Sequence, residues 1–136
     1  MRDALIIAAA VLLSAGCTTA QAPGADDCMC TMEFRTVGVE VVDAAGAAVA
    51  GLDVTVTNTR TGRHLDVTQD AAGPQAPGRY VVVTDANVDD VGEQGDELLF
   101  RAVGQGRTAE GTFVIGRDAC ACHVDRRSGP ERLVAR

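Results

Sequence analysis

Residues 37–46 read Val-Gly-Val-Glu-Val-Val-Asp-Ala-Ala-Gly, and residues 52–57 read Leu-Asp-Val-Thr-Val-Thr. In both segments an apolar residue recurs at every second position, which is the period of a half-buried β-strand. Residues 43–46, at the end of the first segment, are of the types that form turns. This part of the chain therefore predicts two β-strands, each with one buried face.

The same alternation recurs along the rest of the chain. It predicts strands over residues 33–43, 48–58, 63–68, 79–84, 97–103, 108–116 and 119–125. Turn residues separate these runs, among them Gly62 and the Gly-Gln-Gly segment at 104–106. Seven short strands at this spacing predict an all-β fold, an antiparallel-dominated Greek-key β-sandwich of Ig-like type. It would occupy residues 28–126, with a C-terminal tail over 127–136.

The segment 39–57 resembles the opening of carboxypeptidase regulatory-like domains, also called transthyretin-like or prealbumin-like β-sandwiches. A second match joins residues 70–73, Asp-Ala-Ala-Gly, to residues 78–83, Gly-Arg-Tyr-Val-Val-Val. The resemblance implies that Gly73 forms a turn, and that the Tyr80 ring covers the core while its hydroxyl reaches polar surface. It also implies an accessory, folding or adhesion module without catalytic residues.

Residues 1–16 have the order of a secretory signal peptide, with Arg2 before an apolar run over 4–13 and small residues after it. The run is shorter than the roughly 18 to 20 apolar residues that cross a bilayer. Residues 12–17, Leu-Leu-Ser-Ala-Gly-Cys, resemble a bacterial lipobox. The resemblance implies cleavage before Cys17, acylation of that cysteine by palmitate or similar fatty acids, and attachment to a membrane of the cell envelope.

Thr18 follows the cysteine, at the position where lipoproteins retained in the inner membrane have Asp. By the same resemblance, this implies attachment to the outer membrane if the cell is Gram-negative, facing the periplasm or the surface. Residues 17–27 are small and polar with Pro and Gly, so we expect a flexible tether. The alternative is cleavage by the ordinary signal peptidase, which would leave Cys17 as a free or intermolecularly paired thiol.

Four further cysteines form two Cys-x-Cys pairs, Cys28 with Cys30 and Cys120 with Cys122. On a strand the Cα atoms of residues i and i+2 are about 6.6 Å apart, close to the upper limit for a disulfide, so we expect bridges between the pairs. The parallel pairing, Cys28–Cys120 with Cys30–Cys122, is favoured over the antiparallel one. Either would clasp the first and last strands. A competing interpretation is a Cys₄ site for Zn²⁺ or Cu(I), although export favours oxidation.

Residues 85–97 form an acidic loop with oxygen-bearing side chains at alternate positions. Their order partly resembles a calcium-binding loop, and a sandwich loop could bind Ca²⁺ at extracellular concentrations. The candidate ligands are Asp85, Asn87, Asp89, Glu93 and Asp96. The alternative is a solvated surface loop without a ligand.

The formal net charge is −7, and all twelve basic residues are arginine. An acidic chain with scattered arginines is repelled by polyanions, so we expect no nucleic-acid partner.

Strand alternation predicts that His64 faces solvent and that His123 lies opposite Cys122 and Val124, with no evident partner for either histidine. No nucleophile, phosphate-loop or dinucleotide motif is present in the sequence. We therefore expect no enzyme activity. The predicted function is a membrane-anchored, non-catalytic binding or structural module with an unidentified envelope protein or ligand as partner, and the alternative is an envelope metal-binding protein.

Overall fold

The computed structural model describes residues 28–70 and 76–136. These residues form eight strands, β1 (Thr36–Val42), β2 (Asp53–Asn58), β3 (Arg63–Leu65), β4 (Arg79–Thr84), β5 (Asp96–Gly104), β6 (Arg107–Arg117), β7 (Val124–Ser128) and β8 (Arg132–Val134). A 3₁₀ helix, Asp85–Asp90, joins β4 to β5.

The strands form two sheets. One has the order β4-β1-β8 and the other has the order β3-β2-β5-β6-β7. The neighbouring strands run antiparallel except for β1 and β8, which are parallel. The chain crosses from one sheet to the other after β1, β3, β4 and β7. The fold is therefore an antiparallel-dominated β-sandwich, as the sequence predicted.

The core lies between the inner faces of the two sheets. The valines at 37, 39 and 41 of β1 point into it, which explains their period of two. The largest fully buried side chains are Phe100 and Phe113, whose ring centroids are 6.2 Å apart in an edge-to-face arrangement. Each sheet therefore buries the apolar face that its alternation predicted.

The Tyr80 hydroxyl is buried, which corrects the expectation that it reaches polar surface. It donates a hydrogen bond to the Val49 carbonyl at 2.8 Å and accepts one from the Leu52 amide at 3.1 Å. Residues 48–52, predicted as the start of the second strand, instead form a connection before β2. The Tyr80 hydroxyl thus pairs the backbone carbonyl of Val49 and the backbone amide of Leu52, the two buried residues of this connection.

Residues 127–136, expected as a tail, belong to the sandwich. They complete β7 and form β8, and the side chains of Leu133 and Ala135 are buried. Leu133 packs on Gly111 of β6, where an added Cβ would lie 2.8 Å from Leu133 Cδ2. A three-residue strand is too short for its alternation to be recognised in the sequence, which explains why β8 was missed.

The turn predicted after β1 is present. In this turn Asp43 Oδ1 accepts hydrogen bonds from the amides of Ala45 and Ala47, both at 2.9 Å. Gly46 follows with a φ of 83°, a conformation that glycine adopts without a Cβ penalty.

Some of the predictions concern residues outside the described ranges. They are the signal peptide over 1–16, the acylation of Cys17, the tether that leads to Cys28 and the turn at Gly73. In residues 28–70 and 76–136, no helix has the length and apolar character needed to cross a bilayer.

Candidate functional site

The cysteine pairs are joined to each other by two bridges, which are together named the clasp. Cys28 bonds to Cys120 and Cys30 bonds to Cys122, with Cα–Cα distances of 5.5 and 5.4 Å. These distances are typical of disulfides. The parallel pairing favoured by the sequence is confirmed, and the four sulfurs are not available as thiolate ligands for Zn²⁺ or Cu(I).

The clasp does not join two strands, in contrast to the prediction. Cys28 and Cys30 precede β1, and Cys120 and Cys122 lie in the loop between β6 and β7. The clasp therefore fastens the N-terminal segment of the described fold to a loop of the five-stranded sheet.

Asp118 shapes this loop. Its Oδ1 accepts a hydrogen bond from the Cys122 amide at 2.8 Å, and its carbonyl accepts one from the Ala121 amide at 3.0 Å. Ala121 has a φ of 52°, which is uncommon for a residue with a Cβ. The loop then closes with a hydrogen bond from the Asp118 amide to the His123 carbonyl at 3.1 Å.

His123 connects three separate segments of the chain. Its Nδ1 lies 2.7 Å from Asp85 Oδ2, and its Nε2 lies 2.9 Å from Thr31 Oγ1. Asp85 also accepts hydrogen bonds from the amides of Arg35 at 2.7 Å and Val124 at 2.8 Å. A hydroxyl, an imidazole and a carboxylate, named the Thr31–His123–Asp85 group, thus link the N-terminal segment, the β6–β7 loop and the 3₁₀ helix.

Asp85 is ionised at neutral pH. Burial favours its protonated form, but the hydrogen bonds from the Arg35 amide, the His123 ring and the Val124 amide outweigh burial and lower its pKa. An ionised Asp85 keeps a proton on His123 Nδ1, which leaves Nε2 facing the Thr31 hydroxyl.

The prediction that His123 lies opposite its neighbours without a partner is wrong. Residues 119–123 form a turn, so strand alternation does not apply to them, and the His123 side chain is buried. His64 is exposed, as predicted, but its Nδ1 contacts Thr57 Oγ1 across the β2–β3 pair at 2.9 Å.

Sequence reasoning also missed Thr31. One signal was available, because a Cys30–Cys122 bridge brings the residues that follow each cysteine, Thr31 and His123, close together. No sequence signal indicated Asp85 as the third member of the group.

The order hydroxyl, imidazole, carboxylate is also the order of the groups in a serine hydrolase triad. Such a group needs a cavity beside it that seats the substrate. Three surface cavities of about 310 to 540 Å³ in the described part of the chain are lined by residues other than Thr31, His123 and Asp85. In the described structure the hydrogen bonds of this group connect three segments of the chain.

The candidate Ca²⁺ ligands do not converge. Asp85 faces His123, Asn87 is buried and donates to the Asp66 carbonyl at 3.0 Å, and the Asp89 side chain is 92% exposed. Glu93 is exposed as well. Across residues 28–70 and 76–136, no three His, Cys, Asp or Glu side chains are placed to hold a metal ion. The physical reason is the 3₁₀ helix, because three residues per turn point alternate side chains in different directions.

Asp96, the last of these candidates, forms a structural ion pair. Its carboxylate accepts hydrogen bonds from Arg60 Nε at 2.5 Å and Nη2 at 2.7 Å, from Asn58 Nδ2 at 2.8 Å and from the Gly92 amide at 3.0 Å. The Arg60 guanidinium holds the pKa of Asp96 well below its usual range, although burial acts in the opposite direction. Asp96 therefore ties the start of β5 to the turn after β2.

A charged groove of about 320 Å³ lies where β1, β4, β7 and β8 meet, and it is lined by Gly38, Glu40, Arg79, Arg126, Glu131 and Arg132. Two of its guanidinium groups are engaged within the protein, since Arg132 Nε donates to Glu40 Oε2 at 2.7 Å and Arg126 Nη2 donates to the Gly129 carbonyl at 2.6 Å. Three arginines against two glutamates leave a nearly balanced charge. The groove therefore does not favour one class of ligand.

Comparison with known proteins identified no relative. No family model matches the chain, no curated protein is similar to it, and no solved structure matches it. The resemblance to carboxypeptidase regulatory-like domains therefore stays a prediction.

Proposed function

We propose that this protein is a lipid-anchored lipoprotein of the bacterial cell envelope, and that its β-sandwich is a non-catalytic binding or structural module. The observation that carries the proposal is the use of the cysteines. Four of the five are joined in the clasp, so Cys17 is the one that remains for acylation. Disulfides persist in compartments outside the cytoplasm, which agrees with export by the segment 1–16.

Acylation would make the attachment to the membrane lasting. Each buried methylene of an acyl chain contributes ~0.8 kcal/mol, and a lipoprotein carries more than one chain. Thr18 after the cysteine supports the outer membrane as the site of attachment. The net charge of −7 makes a protein or a small ligand of the envelope a better partner than a nucleic acid.

The non-catalytic character of the module is supported by the surroundings of the Thr31–His123–Asp85 group. Both oxygens of Asp85 accept backbone hydrogen bonds in addition to the contact with His123. The group joins the N-terminal segment to the β6–β7 loop, and no strand pairing connects these two segments, which supports a structural role. The three cavities of about 310 to 540 Å³ lie elsewhere on the surface of the described residues.

The test is the intact mass of the protein extracted from membranes without reduction. We expect a chain that begins at Cys17, carries the mass of its acyl groups and has lost four hydrogens to the two bridges. Cys17→Ala, expressed at the same level, is the matched control and should carry no acyl mass. A wild-type chain cleaved by the ordinary signal peptidase, without acyl mass, would overturn the proposal.

A further inference from the structure

Three exposed apolar side chains lie within six residues of each other in the N-terminal segment of the described fold. Met29 is 92% exposed, Met32 is fully exposed and Phe34 is 55% exposed. The other large apolar side chains exposed in the described residues are Leu99, Val103 and Val134, and they are only 39 to 45% exposed. Single exposed apolar residues are common, but three within six residues at this exposure indicate an interaction surface. Met29, Met32 and Phe34 are named the apolar triplet.

The apolar triplet stands on a backbone that is fastened on both sides. The attachment points are Cys28 and Cys30 through the clasp, Thr31 through His123, and Arg35 through Asp85. Each of the three apolar residues lies next to at least one of these attachment points. The fastening therefore holds the segment against the sandwich while the three side chains point outward.

The apolar triplet also lies close to the predicted anchor along the chain. Residues 18–27 separate Cys17 from Cys28. A fully extended chain spans at most 3.3 to 3.6 Å per residue, so the connection reaches no further than about 40 Å. On an acylated chain Cys28, which directly precedes the apolar triplet, would stay within that distance of the bilayer.

The charges within the segment do not oppose contact with a membrane. Glu33 is the acidic residue between Met32 and Phe34, and its Oε2 lies 3.5 Å from Arg35 Nη2. This pair offsets its own charge, so the segment presents apolar side chains with little net charge.

We propose that Met29, Met32 and Phe34 insert into the interfacial region of the membrane that holds Cys17, and that they seat the sandwich on that membrane in one orientation. This inference rests on the proposed acylation of Cys17. A short tether raises the effective concentration of the second contact to the millimolar range, so a weak contact is sufficient. Apolar side chains at the boundary between headgroups and acyl chains are a common means of such binding.

The experiment uses the absence of tryptophan from the chain, because Phe34→Trp supplies a single fluorescent reporter. The full lipidated protein is placed in vesicles of phosphatidylethanolamine and phosphatidylglycerol that contain a brominated lipid. We expect the emission to shift to shorter wavelength and to be quenched. Leu99→Trp, on the outer face of β5, is the matched control and should be quenched several-fold less.

A second pair of variants tests the insertion itself. Met29→Ser with Met32→Ser, in the Phe34→Trp chain, should reduce the quenching several-fold while the acyl mass and both disulfides are retained. Acylated Phe34→Trp protein that shows no quenching would overturn the insertion and leave the proposed lipoprotein intact. Equal quenching of the Phe34→Trp and Leu99→Trp proteins would overturn the single orientation. Absence of acyl mass on Cys17 would overturn the proposed function and this inference together.

The same reporter distinguishes a membrane from a protein partner. In native envelope membranes, the Phe34→Trp emission could shift to shorter wavelength without being quenched by brominated lipid. That result would mean that a protein covers the apolar triplet, and it would overturn the membrane contact. Quenching in both native membranes and pure lipid vesicles would support it.

Discussion

Removing one bridge of the clasp should cost far less than half of what removing both costs. Each bridge joins residues that are 92 positions apart. A bridge that closes a loop of this length lowers the conformational entropy of the unfolded chain, which stabilises the fold by about 4 to 5 kcal/mol. The other bridge then closes only a small ring, in which one residue separates the two cysteines on each side, and it adds about 2 kcal/mol on the same treatment.

The variant Cys28→Ala with Cys120→Ala, and the variant Cys30→Ala with Cys122→Ala, should therefore each lose about 2 kcal/mol, because the remaining bridge still closes the long loop. The variant without all four cysteines should lose about 6 to 7 kcal/mol. The measurement is urea unfolding of residues 18–136, exported behind an ordinary signal peptide so that no unpaired thiol is present.

The denaturant dependence provides an internal check. Because cross-links keep the unfolded chain compact, the m-value should rise only slightly when one bridge is lost and clearly when both are lost. Wild-type protein reduced before unfolding should match the variant without the four cysteines. If the losses of the two double variants add up to the loss of the quadruple variant, the bridges stabilise local contacts independently, and the reasoning from loop closure is refuted.

Gly129→Ala should lower the free energy of unfolding by about 3 kcal/mol, because Gly129 has a φ of 134° and an added Cβ would lie 2.5 Å from Phe113 Cδ1. Gly62→Ala should lower it by only about 1 kcal/mol, because Gly62 has a φ of 69° and no atom beyond its chain neighbours lies within 4 Å of an added Cβ. Equal losses in urea unfolding would contradict this difference. Asp96→Asn should flatten the dependence of stability on pH: the folded-state pKa of Asp96 is lowered, so its contribution is full above the unfolded pKa of about 3.9 and is lost as pH falls toward the folded value. The measurement is the melting temperature of both proteins from neutral to acid pH. An equal fall of the two melting temperatures would contradict the prediction. Leu133→Ala should lose about 2 to 4 kcal/mol, because it removes a buried side chain of β8, and a loss of under about 0.5 kcal/mol would show that β8 does not belong to the cooperative fold.

The strands that alternate cleanly could be predicted from the sequence. The prediction over 79–84 matches β4, and the predictions over 97–103 and 108–116 match β5 and β6 to within one residue at each end. These strands are readable because one face meets the core and the other meets solvent, as in the buried and exposed alternation of β5. β4 is buried on nearly every residue, so its recognition depended on its valines and on the glycine before it.

The connections were less predictable, because their structure depends on contacts with distant residues. The segment 119–123 continues the apolar pattern of a strand, yet the Asp118 side chain and the clasp hold it in a turn. The acidic loop has ligand-like spacing only if its backbone is extended, and the 3₁₀ helix removes that spacing.

The candidate site was predictable only in part. The geometry of the Cys-x-Cys pairs predicted bridges between the pairs, whereas it left two connectivities open, of which the favoured parallel one is observed. The Thr31–His123–Asp85 group joins residues 92 and 38 positions apart, and side-chain contacts at such distances have no periodic signature in a sequence.

The clasp and the Thr31–His123–Asp85 group act on the same short segment, which contains no strand. β1 is already paired with β4 on one side and with β8 on the other, so the sandwich has its own means of holding this strand. On a chain anchored at Cys17, however, any force on the tether enters the described fold at Cys28. The bridge from Cys28 leads directly to the β6–β7 loop, so the force reaches the five-stranded sheet before it reaches β1. On such an anchored chain the clasp would keep that force from separating β1 from β4 and β8.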